Sequence, residues 1–367
     1  MTRGTLPWVV AAAAMLAASA ALSRPFSDPR AEKRDAVDAD PAFAAGERDP
    51  ACHATQLVST GGLAPRHPHT LAVRWTGYSN FELAYGGKII LLDAYFDRGS
   101  NYPPLGFAAR DVTRADVILI GHGHFDHMAD AASVSIHTGA AVVGAPLTTD
   151  KLAAQGVPAT QIRTVTGRGG ELLKFDGFTV EPILARHGQP DPQVTTVMEG
   201  ALGALSAESA AQEAEERAIR ARGVSDPRVI AEGTIAYLIT LDSGFRIMYR
   251  DSGGRVTDEE RAAMARAGGV DLALVAVAAE YLMPPTARQA LEHMRLYKPE
   301  VYMPAHHDAP ISGRRSLWRA TEPLFQALKD DNPSLVTVSR GYREPVCFNT
   351  NVNVAHDRDP RHPTPLR

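Results

Sequence analysis

The chain has 367 residues, of which 44% are hydrophobic and 22% are charged. A chain of this length buries a substantial core in one large domain or two smaller ones, and its composition excludes disorder for most of its length. The net charge of −4 provides no overall positive field, which argues against a general nucleic-acid binder. Two cysteines are too few for a disulfide scaffold or a thiolate zinc finger, whereas 13 histidines need an explanation.

The first residues have the pattern of a secretory signal peptide, predicted at 1–22. Arg3 precedes an apolar, alanine-rich stretch, and Ala18-Ser19-Ala20 has the small-residue pattern that signal peptidase cleaves. The stretch is short and weakly hydrophobic for a membrane span, so an uncleaved anchor is the less favoured alternative. The sequence therefore predicts an exported protein, either periplasmic or secreted. Residues 23–70 begin with a composition rich in Pro, Asp, Arg and Ala and are predicted to be a flexible linker.

Export gives the two cysteines a possible structural role. Cys52 lies near the start of the mature chain and Cys347 near its end. In an oxidising compartment such a pair can tie the N-terminal extension to the last element of the domain. Two free thiols are the alternative, and the exported context favours the disulfide.

The body of the chain, residues 71–345, alternates strands with helices. Short apolar runs predict strands at Leu71–Trp75, Phe81–Tyr85, Lys88–Asp93, Val117–Ile120, Ala141–Gly144, Gly177–Leu184, Thr234–Leu241, Phe245–Tyr249, Leu272–Val277, Val301–Pro304 and Leu335–Val338. Helical patterns occur at Asp258–Ala267 and Thr286–Tyr297. Hairpins occur early and again at residues 234–249, and helix-separated strands follow each of them. This order predicts a layered α/β fold with two similar halves.

One segment interrupts this alternation and is predicted to be a helical insertion at residues 190–230. Within it, Val197–Arg222 is rich in Ala and Glu and contains no Pro. The segment follows a histidine at a strand end, His187, so it is either a lid over a site or a solvated surface helix. Residues 346–367 are predicted to be a polar C-terminal tail.

Metal-ligand residues concentrate in one run, HGHFDH at residues 122–127, directly after a predicted strand. Residues two apart in an extended segment project to the same side, so His122, His124 and Asp126 can converge. Imidazole and carboxylate suit zinc, iron or manganese. Asp126 and His127 are adjacent and diverge, which suits two neighbouring ions better than one. A polar loop with chance histidines is the alternative, and the density of ligand types in this run argues against it.

A site for two ions needs further ligands, and candidates follow other predicted strands. His187, Asp251 and the pair His306 and His307 each stand just past the C-terminal end of a strand, where α/β folds place their sites. Each alone would be read as an ordinary residue, but the run at 122–127 requires partners. The other histidines are expected at the surface: His53, His67, His69, His137, His293, His356 and His362.

With these residues in this order, the chain resembles the metallo-β-lactamase-fold hydrolase superfamily. The HxHxDH signature lies at residues 122–127, and His187, Asp251 and His306 follow in the order of that superfamily. The resemblance covers about residues 71–338. The segments WTGYSNF at 75–81 and LLD at 91–93 resemble the branch of ascorbate-phosphate lactonases and N-acylethanolamine-releasing phospholipases D. The resemblance implies an αββα four-layer sandwich of two similar halves, with a two-metal site between the sheets.

The resemblance also implies which residues hold two divalent ions, with Zn²⁺ preferred over Mn²⁺ or Fe²⁺. One ion would be held by three histidines, His122, His124 and His187. The other would be held by Asp126, His127 and His306, with Asp251 bridging both. His306 is preferred to His307 because the branch places this ligand two residues after a proline, here Pro304.

The ligand set predicts a hydrolase in which water between the two ions attacks a carbonyl carbon or a phosphorus. Asp126 and Asp251 are the predicted catalytic residues, and Asp251 is also a candidate to pass a proton to the leaving group. Asp93 is either a partner that orients a metal-bound imidazole or a turn-capping aspartate. The predicted substrate is a phosphodiester, either a small molecule or a lipid such as a phospholipid. Peripheral contact with a membrane is predicted as well. The alternatives are a lactonase or carboxyl-ester hydrolase, and a non-catalytic metal-binding envelope protein.

The sequence departs from the branch at three places near the predicted pocket. Tyr78 stands where a histidine often follows the first glycine of the early motif. Residues 308–310, Asp-Ala-Pro, replace the usual Gly-Thr-Phe, and residues 278–281 lack the usual Pro and Gly. Three aromatic residues are further candidates to line the pocket, although aromatic side chains usually fill core: Tyr102, Phe107 and Tyr281. The resemblance therefore supports the metal site more strongly than the substrate.

Overall fold

The structure is a computed structural model that describes residues 49–100, 102–188, 209–277, 284–308 and 321–350. These residues all belong to one compact unit, residues 42–367. The predicted signal peptide and most of the predicted linker lie outside the described residues. So do the departure at 278–281, the last two residues of the departure at 308–310, and the chain after residue 350.

The strands of the described residues form two seven-stranded sheets. The first sheet contains β1 (Thr70–Trp75), β2 (Phe81–Tyr85), β3 (Lys88–Leu92), β4 (Val117–Leu119), β5 (Ala141–Gly144), β6 (Ile162–Thr164) and β14 (Pro345–Asn349). The second contains β7 (Leu173–Phe175), β8 (Phe178–Ala185), β9 (Thr234–Leu241), β10 (Arg246–Arg250), β11 (Leu272–Ala276), β12 (Val301–Ala305) and β13 (Val336–Thr337).

The two sheets repeat one pattern of pairing. The first has the order β14-β1-β2-β3-β4-β5-β6, antiparallel as far as β3 and parallel from β3 to β6. The second has the order β13-β12-β11-β10-β9-β8-β7, antiparallel from β7 to β10 and parallel from β10 to β13. The prediction of two similar halves is confirmed.

Helices connect and cover the strands. In the described residues they are α1 (Phe125–Met128), α2 (Ala131–Thr138), α3 (Pro146–Ala154), α4 (Ala210–Arg220), α5 (Arg228–Glu232), α6 (Asp258–Ala267), α7 (Pro284–Tyr297) and α8 (Glu322–Asp331). Helix α6 has the predicted bounds because Thr257 and Glu260 form a capping box at its start and Gly268, with φ 76°, ends it. Among the described helices, none combines the length and the apolar character that crossing a bilayer requires.

Three apolar layers separate four layers of secondary structure. The layer between the sheets takes alternate residues of β1, such as Leu71 and Val73, together with Tyr237 and Ile239 of β9. A second layer joins the outer face of the first sheet to α2 and α3, and a third joins the outer face of the second sheet to α6, α7 and α8. Because both faces of each sheet are covered, the central parallel strands β4 and β11 are apolar and buried along their whole length. The predicted αββα sandwich is confirmed.

Two predicted boundaries are wrong. Residues 49–69 were expected in the flexible linker, but they pack on the first sheet, where Glu82 accepts hydrogen bonds from the backbone N–H groups of Val58 at 2.9 Å and Ser59 at 2.8 Å. Residues 346–349 were expected in the tail, but they belong to β14, which pairs antiparallel with β1. Backbone hydrogen bonding and burial therefore extend the domain at both ends.

The predicted disulfide between Cys52 and Cys347 is present, with Cα atoms 5.7 Å apart. It joins the packed N-terminal segment to β14, so both ends of the domain are fixed to the same edge of the first sheet.

Replacing both cysteines by serine is expected to lower the free energy of unfolding by about 2–5 kcal/mol, because the bond restricts the unfolded chain. The bond joins residues that are 295 positions apart, which makes the closed loop long. Urea unfolding of the native protein and of the double variant, with and without reductant, measures the difference. Reductant should shift the native curve towards that of the variant and leave the variant unchanged; coincident curves for the oxidised native protein and the variant would contradict the prediction.

Candidate metal centre

The candidate ligands come from the C-terminal ends of strands in both sheets. The run 122–127 follows β4 of the first sheet. His187, Asp251 and His306 follow β8, β10 and β12 of the second sheet. Since the sheets face each other, these strand ends meet at one edge of the sandwich.

The structure brings all seven predicted ligands together in three overlapping groups. In each group the candidate ligand atoms lie within 4.8 Å of one another. The groups are His122, His124 and His187; Asp126, His127 and His306; and His122, His127 and Asp251. The first two correspond to the two predicted ion sites, and the third places Asp251 between them.

Asp251 and His122 are both fully buried, with no exposed surface. The Oδ2 atom of Asp251 lies 2.6 Å from His122 Nδ1 and 3.3 Å from His127 Nδ1. Its Oδ1 atom accepts a hydrogen bond from Thr234 Oγ1 at 2.8 Å. Thr234 begins β9 and was not identified from the sequence, because a threonine at a strand start carries no signal of its own.

Gly121 makes room for Asp251. A Cβ atom built on Gly121 would lie 2.0 Å from the Asp251 carboxylate, far inside contact distance. In the sequence, a glycine that follows a predicted strand indicates only a turn. The structure instead requires glycine there because the two sheets press this backbone and this carboxylate together.

Asp93 orients His127, as the first of its two predicted roles requires. Asp93 Oδ2 lies 2.6 Å from His127 Nδ1, and Asp93 Oδ1 accepts a hydrogen bond from the backbone N–H of Gly121 at 2.9 Å. Ser79 donates a hydrogen bond to Asp93 Oδ2 at 2.6 Å. With its Nδ1 occupied, His127 presents Nε2 towards Asp126, 3.5 Å away. Ser79 was not identified as a functional residue, although it lies in the early motif at residues 75–81.

Of the two adjacent histidines after β12, His306 lies at the site. Its Nε2 atom is 3.1 Å from Asp126 Oδ2. Its backbone has φ 61°, and its N–H donates a hydrogen bond to the carbonyl of Tyr78 at 2.6 Å. His307 is buried against Trp75, with ring centroids 4.1 Å apart. The left-handed backbone at His306 therefore turns the two side chains in different directions.

The electrostatics of the site favour ionised carboxylates and two neutral imidazoles. Burial, together with the neighbouring His122, lowers the pKa of His124 to about 3 and that of His187 to about 4. Burial alone would lower the pKa of His127, but the carboxylates around it, Asp126 first, raise it to about 10. Burial alone would raise the pKa of Asp126, but His127 and His306 hold it well below its usual range. The negative charges of the Asp126 and Asp251 carboxylates are thus balanced by the positive charge of protonated His127.

This donor set fits divalent metal ions. His124 and His187 are neutral imidazoles with lone pairs, as ligands must be. His187 Nδ1 donates to the carbonyl of Gly188, which leaves Nε2 free as the ligand atom. The ionised Asp126 and Asp251 supply the negative charge that buried cations need.

Helix α4, within the predicted insertion, covers one side of the centre. Its Ile219 is buried among Tyr78 and Tyr95, and its Arg220 lies over the ring of Phe125 at 4.5 Å. Glu215 of α4 accepts hydrogen bonds from the backbone N–H and the hydroxyl of Ser100 at 2.9 and 2.6 Å. The opposite face of the helix is exposed. This helix, called the cover below, thus packs beside α1 through Ile219. Residues 190–208 of the predicted insertion lie outside the described residues.

The cover and the wall opposite it enclose a small cavity. It is lined by Tyr95, Arg98, Tyr102 and Phe125 on the wall and by Gln212, Glu215, Glu216 and Ile219 on the cover. Of the aromatic residues predicted to line a pocket, Tyr102 does so, Phe107 packs against Phe96 in the core, and Tyr281 lies outside the described residues.

Two of the residues at which the sequence departs from the branch that it resembles, Tyr78 and Asp308, contact each other. Asp308 accepts hydrogen bonds from the backbone N–H of Tyr78 at 2.7 Å and from Tyr342 Oη at 2.6 Å. Its carboxylate also pairs with Arg98 Nη1 at 2.9 Å, and both side chains are almost entirely buried. Asp308 thus ties the loop that carries His306 to the loop before β2 through Tyr78, and to the loop after β3 through Arg98.

The expectation of surface histidines is wrong for His293. His53, His67 and His137 are exposed and His69 is half-buried, while His356 and His362 lie outside the described residues. His293 is buried, and its Nε2 donates a hydrogen bond to the carbonyl of Gly254 at 2.9 Å. Burial and the nearby Arg250 lower the pKa of His293 to about 3. A histidine on the buried face of α7 looks like any helical histidine in sequence, so its partner is found only in the fold.

Comparison with known proteins agrees with the fold and the ligand run. Residues 88–307 match the family described as "Beta-lactamase superfamily domain". A UPF0173 metal-dependent hydrolase of Cupriavidus necator is 25% identical over 257 residues, which cover 68% of this chain and 78% of that protein. Another, from Pyrobaculum islandicum, is 31% identical over 134 residues, which cover 35% of this chain and 58% of that protein.

Other matches are shorter or more distant. Two further curated relatives are matched over only 35% and 47% of their own lengths. Igni18, described as a novel metallo hydrolase from Ignicoccus hospitalis, superposes with a TM-score of 0.51 over 76% of this chain and 98% of that chain. At 19% sequence identity, this likeness shows the shared fold alone.

Gly121→Ala is expected to displace Asp251 and to weaken metal binding by at least about 10-fold, while the protein stays folded. Gly144→Ala is the matched control, because it also lies at a strand end but its new Cβ would lie no closer than 3.0 Å to a neighbour, the side chain of Thr148. Zinc affinity of both variants is measured by competition with a coloured chelator, and folding by circular dichroism. Native affinity in Gly121→Ala would contradict the prediction.

Asp93→Asn is expected to weaken zinc binding by about 10–100-fold, since an amide no longer favours the tautomer of His127 that presents Nε2 as a ligand. The same chelator competition measures it. Asp116→Asn, which changes an aspartate at the start of β4 away from the ligands, is the control and should keep native affinity. Equal affinities for the two variants would refute the orienting role of Asp93.

Proposed function

The chain belongs to the beta-lactamase superfamily domain family, and from that premise we propose that it is a hydrolase dependent on two divalent metal ions, with zinc preferred. The observation that carries the proposal is the pair of three-residue donor groups with Asp251 between them. A carrier of a single ion needs neither the second group nor a shared carboxylate. The likeness to the branch of lactonases and phospholipases D remains a prediction.

Each side chain has a defined task in this reaction. Bound ions would supply Lewis-acid activation of water and of the substrate. His122, His124 and His187 would hold one ion, and Asp126, His127 and His306 the other. Asp251, which lies between the two groups, would join them and is our candidate to pass a proton to the leaving group. Asp93 and Thr234 hold His127 and Asp251 in place.

For the substrate, we propose a phosphodiester that carries an apolar group, such as a phospholipid. Paired metal sites suit in-line displacement at phosphorus because they hold both the attacking and the leaving oxygens. The wall beside the centre carries three aromatic side chains, Tyr95, Tyr102 and Phe125, and the apolar Ile219 of the cover lines the same cavity. Such a wall would bind the apolar part of the substrate and exclude water from the reacting atoms.

One observation favours a neutral ester or lactone as the second candidate. Three arginines lie on or beside the wall and the cover, and each is paired with a carboxylate. The pairs are Arg98 with Asp308, Arg220 with Glu216, and Arg222 with Asp130. Their charges are therefore already balanced, and the ions alone would neutralise a phosphate.

We further propose that the protein acts after export, in the periplasm or outside the cell. The signal-peptide pattern at residues 1–22 supports this location. The disulfide between Cys52 and Cys347 also supports it, since such bonds persist in oxidising compartments. A lipid substrate would bring the protein into peripheral contact with a membrane.

The purified, zinc-loaded protein is expected to release nitrophenol from bis(p-nitrophenyl) phosphate and to lose this activity in EDTA. Asp126→Ala should lose at least one ion and lower kcat/KM by at least about 100-fold, because Asp126 contributes to the second donor group. Asp150→Ala, at an exposed position of α3, is the control. Metal content is measured by mass spectrometry for each protein.

The outcomes separate the candidate functions. Activity in Asp126→Ala equal to that of the native protein would refute the assignment of the site. Two bound ions without phosphodiesterase activity, but with hydrolysis of nitrophenyl esters or lactones, would select the second candidate. Two bound ions with no turnover of any of these compounds would leave the metal-binding envelope protein.

A further inference from the structure

Arg250, the residue before Asp251, is a buried charge that the proposed reaction does not use. Its side chain and that of its partner, Glu260, have no exposed surface, and Arg250 Nε donates a hydrogen bond to Glu260 Oε1 at 3.0 Å. Removing two charges from water costs several kcal/mol, and apolar residues of similar size are often as stabilising. Stability alone therefore does not account for this buried ion pair.

The guanidinium group joins the backbones of two ligand loops. Its Nη2 atom donates to the carbonyl of Arg186 at 3.0 Å, and Arg186 directly precedes His187. Its Nη1 atom donates to the carbonyl of Ser252, which directly follows Asp251. One planar group with fixed donor directions thus sets the spacing between the loop after β8 and the loop after β10.

Two further contacts bring the same loops together. The backbone N–H of Gly188 donates to Ser252 Oγ at 3.0 Å. A Cβ atom built on Gly254, whose φ is 142°, would lie 2.4 Å from the carbonyl oxygen of Arg186. The backbones therefore approach so closely that glycine is required, and Arg250 lies where this approach must be maintained.

The other end of the pair is held rigidly. Glu260 lies in the first turn of α6, where its Oε2 atom accepts a hydrogen bond from the backbone N–H of Thr257 at 2.8 Å. Tyr297 of α7 donates its hydroxyl to Glu260 Oε1. Thr257 in turn donates to the carbonyl of Leu184 in β8 at 2.8 Å. Glu260 thus connects Arg250 to α6, α7 and β8 and limits its movement.

We propose that Arg250 is a positioning residue of the metal centre, holding the His187 and Asp251 loops at the spacing that ion binding requires. The inference rests on the proposed metal-dependent function. Without Arg250 each loop keeps its ligand, but the separation of the two ligands is no longer fixed. Metal binding must then order the two loops, and the entropy lost in doing so weakens the affinity. The guanidinium itself stays behind the ligands and contacts neither ion nor substrate.

The test compares two buried arginines that have the same kind of surroundings. Arg74 is also fully buried, pairs with Glu82 at 3.4 Å and donates to the carbonyls of Ala51 and Ala54, but it holds the N-terminal segment rather than a ligand loop. Arg250→Gln and Arg74→Gln are both expected to lower the urea midpoint measured in EDTA. Only Arg250→Gln should weaken zinc affinity, by about 10–100-fold in chelator competition.

Arg250→Lys keeps the charge but loses the planar fork, so its zinc affinity should fall between those of the native protein and Arg250→Gln. If Arg250→Gln does not fold, the lysine variant decides the question, because native affinity in Arg250→Lys overturns the proposal. Equal weakening in Arg74→Gln also overturns it, since a general loss of stability would then explain the result. Failure of the native protein to bind zinc would refute the proposed function itself, which separates the two conclusions.

Discussion

The contact between the Asp251 carboxylate and the bare Cα of Gly121 is the constraint on which the centre depends. Gly121 belongs to the loop after β4 in the first sheet, and Asp251 follows β10 in the second. No side chain larger than hydrogen fits at position 121, because a Cβ would lie 2.0 Å from the carboxylate. This approach of the two sheets places Asp251 Oδ2 2.6 Å from His122 and 3.3 Å from His127. It thereby joins the two donor groups, each of which takes ligands from both halves of the fold.

The charges of the centre explain why it is enclosed by hydrogen bonds on every side. Asp126 and Asp251 are held ionised by the histidines around them, although burial alone opposes ionisation. Burying such groups is costly unless each retains a partner, and here Thr234 is hydrogen-bonded to Asp251 and His306 to Asp126. His127, whose pKa is raised to about 10, occupies the position of a cation between carboxylates. A divalent ion in that position would take over the same balance of charge.

The sequence predicted the features that are contiguous along the chain. The HGHFDH run, the alternation of strands and helices, and the bounds of α6 are all local patterns, so they were identified correctly. Strand β14 was missed because its partner, β1, lies at the other end of the domain, and a short run such as 345–349 carries no local sign of that pairing. Thr234 and Arg250 were missed for the same physical reason. Their roles consist of contacts with residues distant in sequence, and nothing in their own neighbourhoods indicates these contacts.

Two departures from the branch that the sequence resembles connect the metal centre to the wall that we propose binds the substrate. Tyr78 and Asp308 differ from the pattern at two separate places in the sequence, yet Asp308 accepts a hydrogen bond from Tyr78 N–H and pairs with Arg98. They therefore form one structural unit rather than two independent changes. Arg98 pairs with Asp308 in this unit and also lines the wall beside Tyr102, opposite the cover helix α4. A change in the loop after β12 is thus transmitted to the surface that a substrate would meet. If the proposed apolar wall binds the substrate, this unit and α4 set the shape of that surface, whereas the candidate ligands set the chemistry at its side.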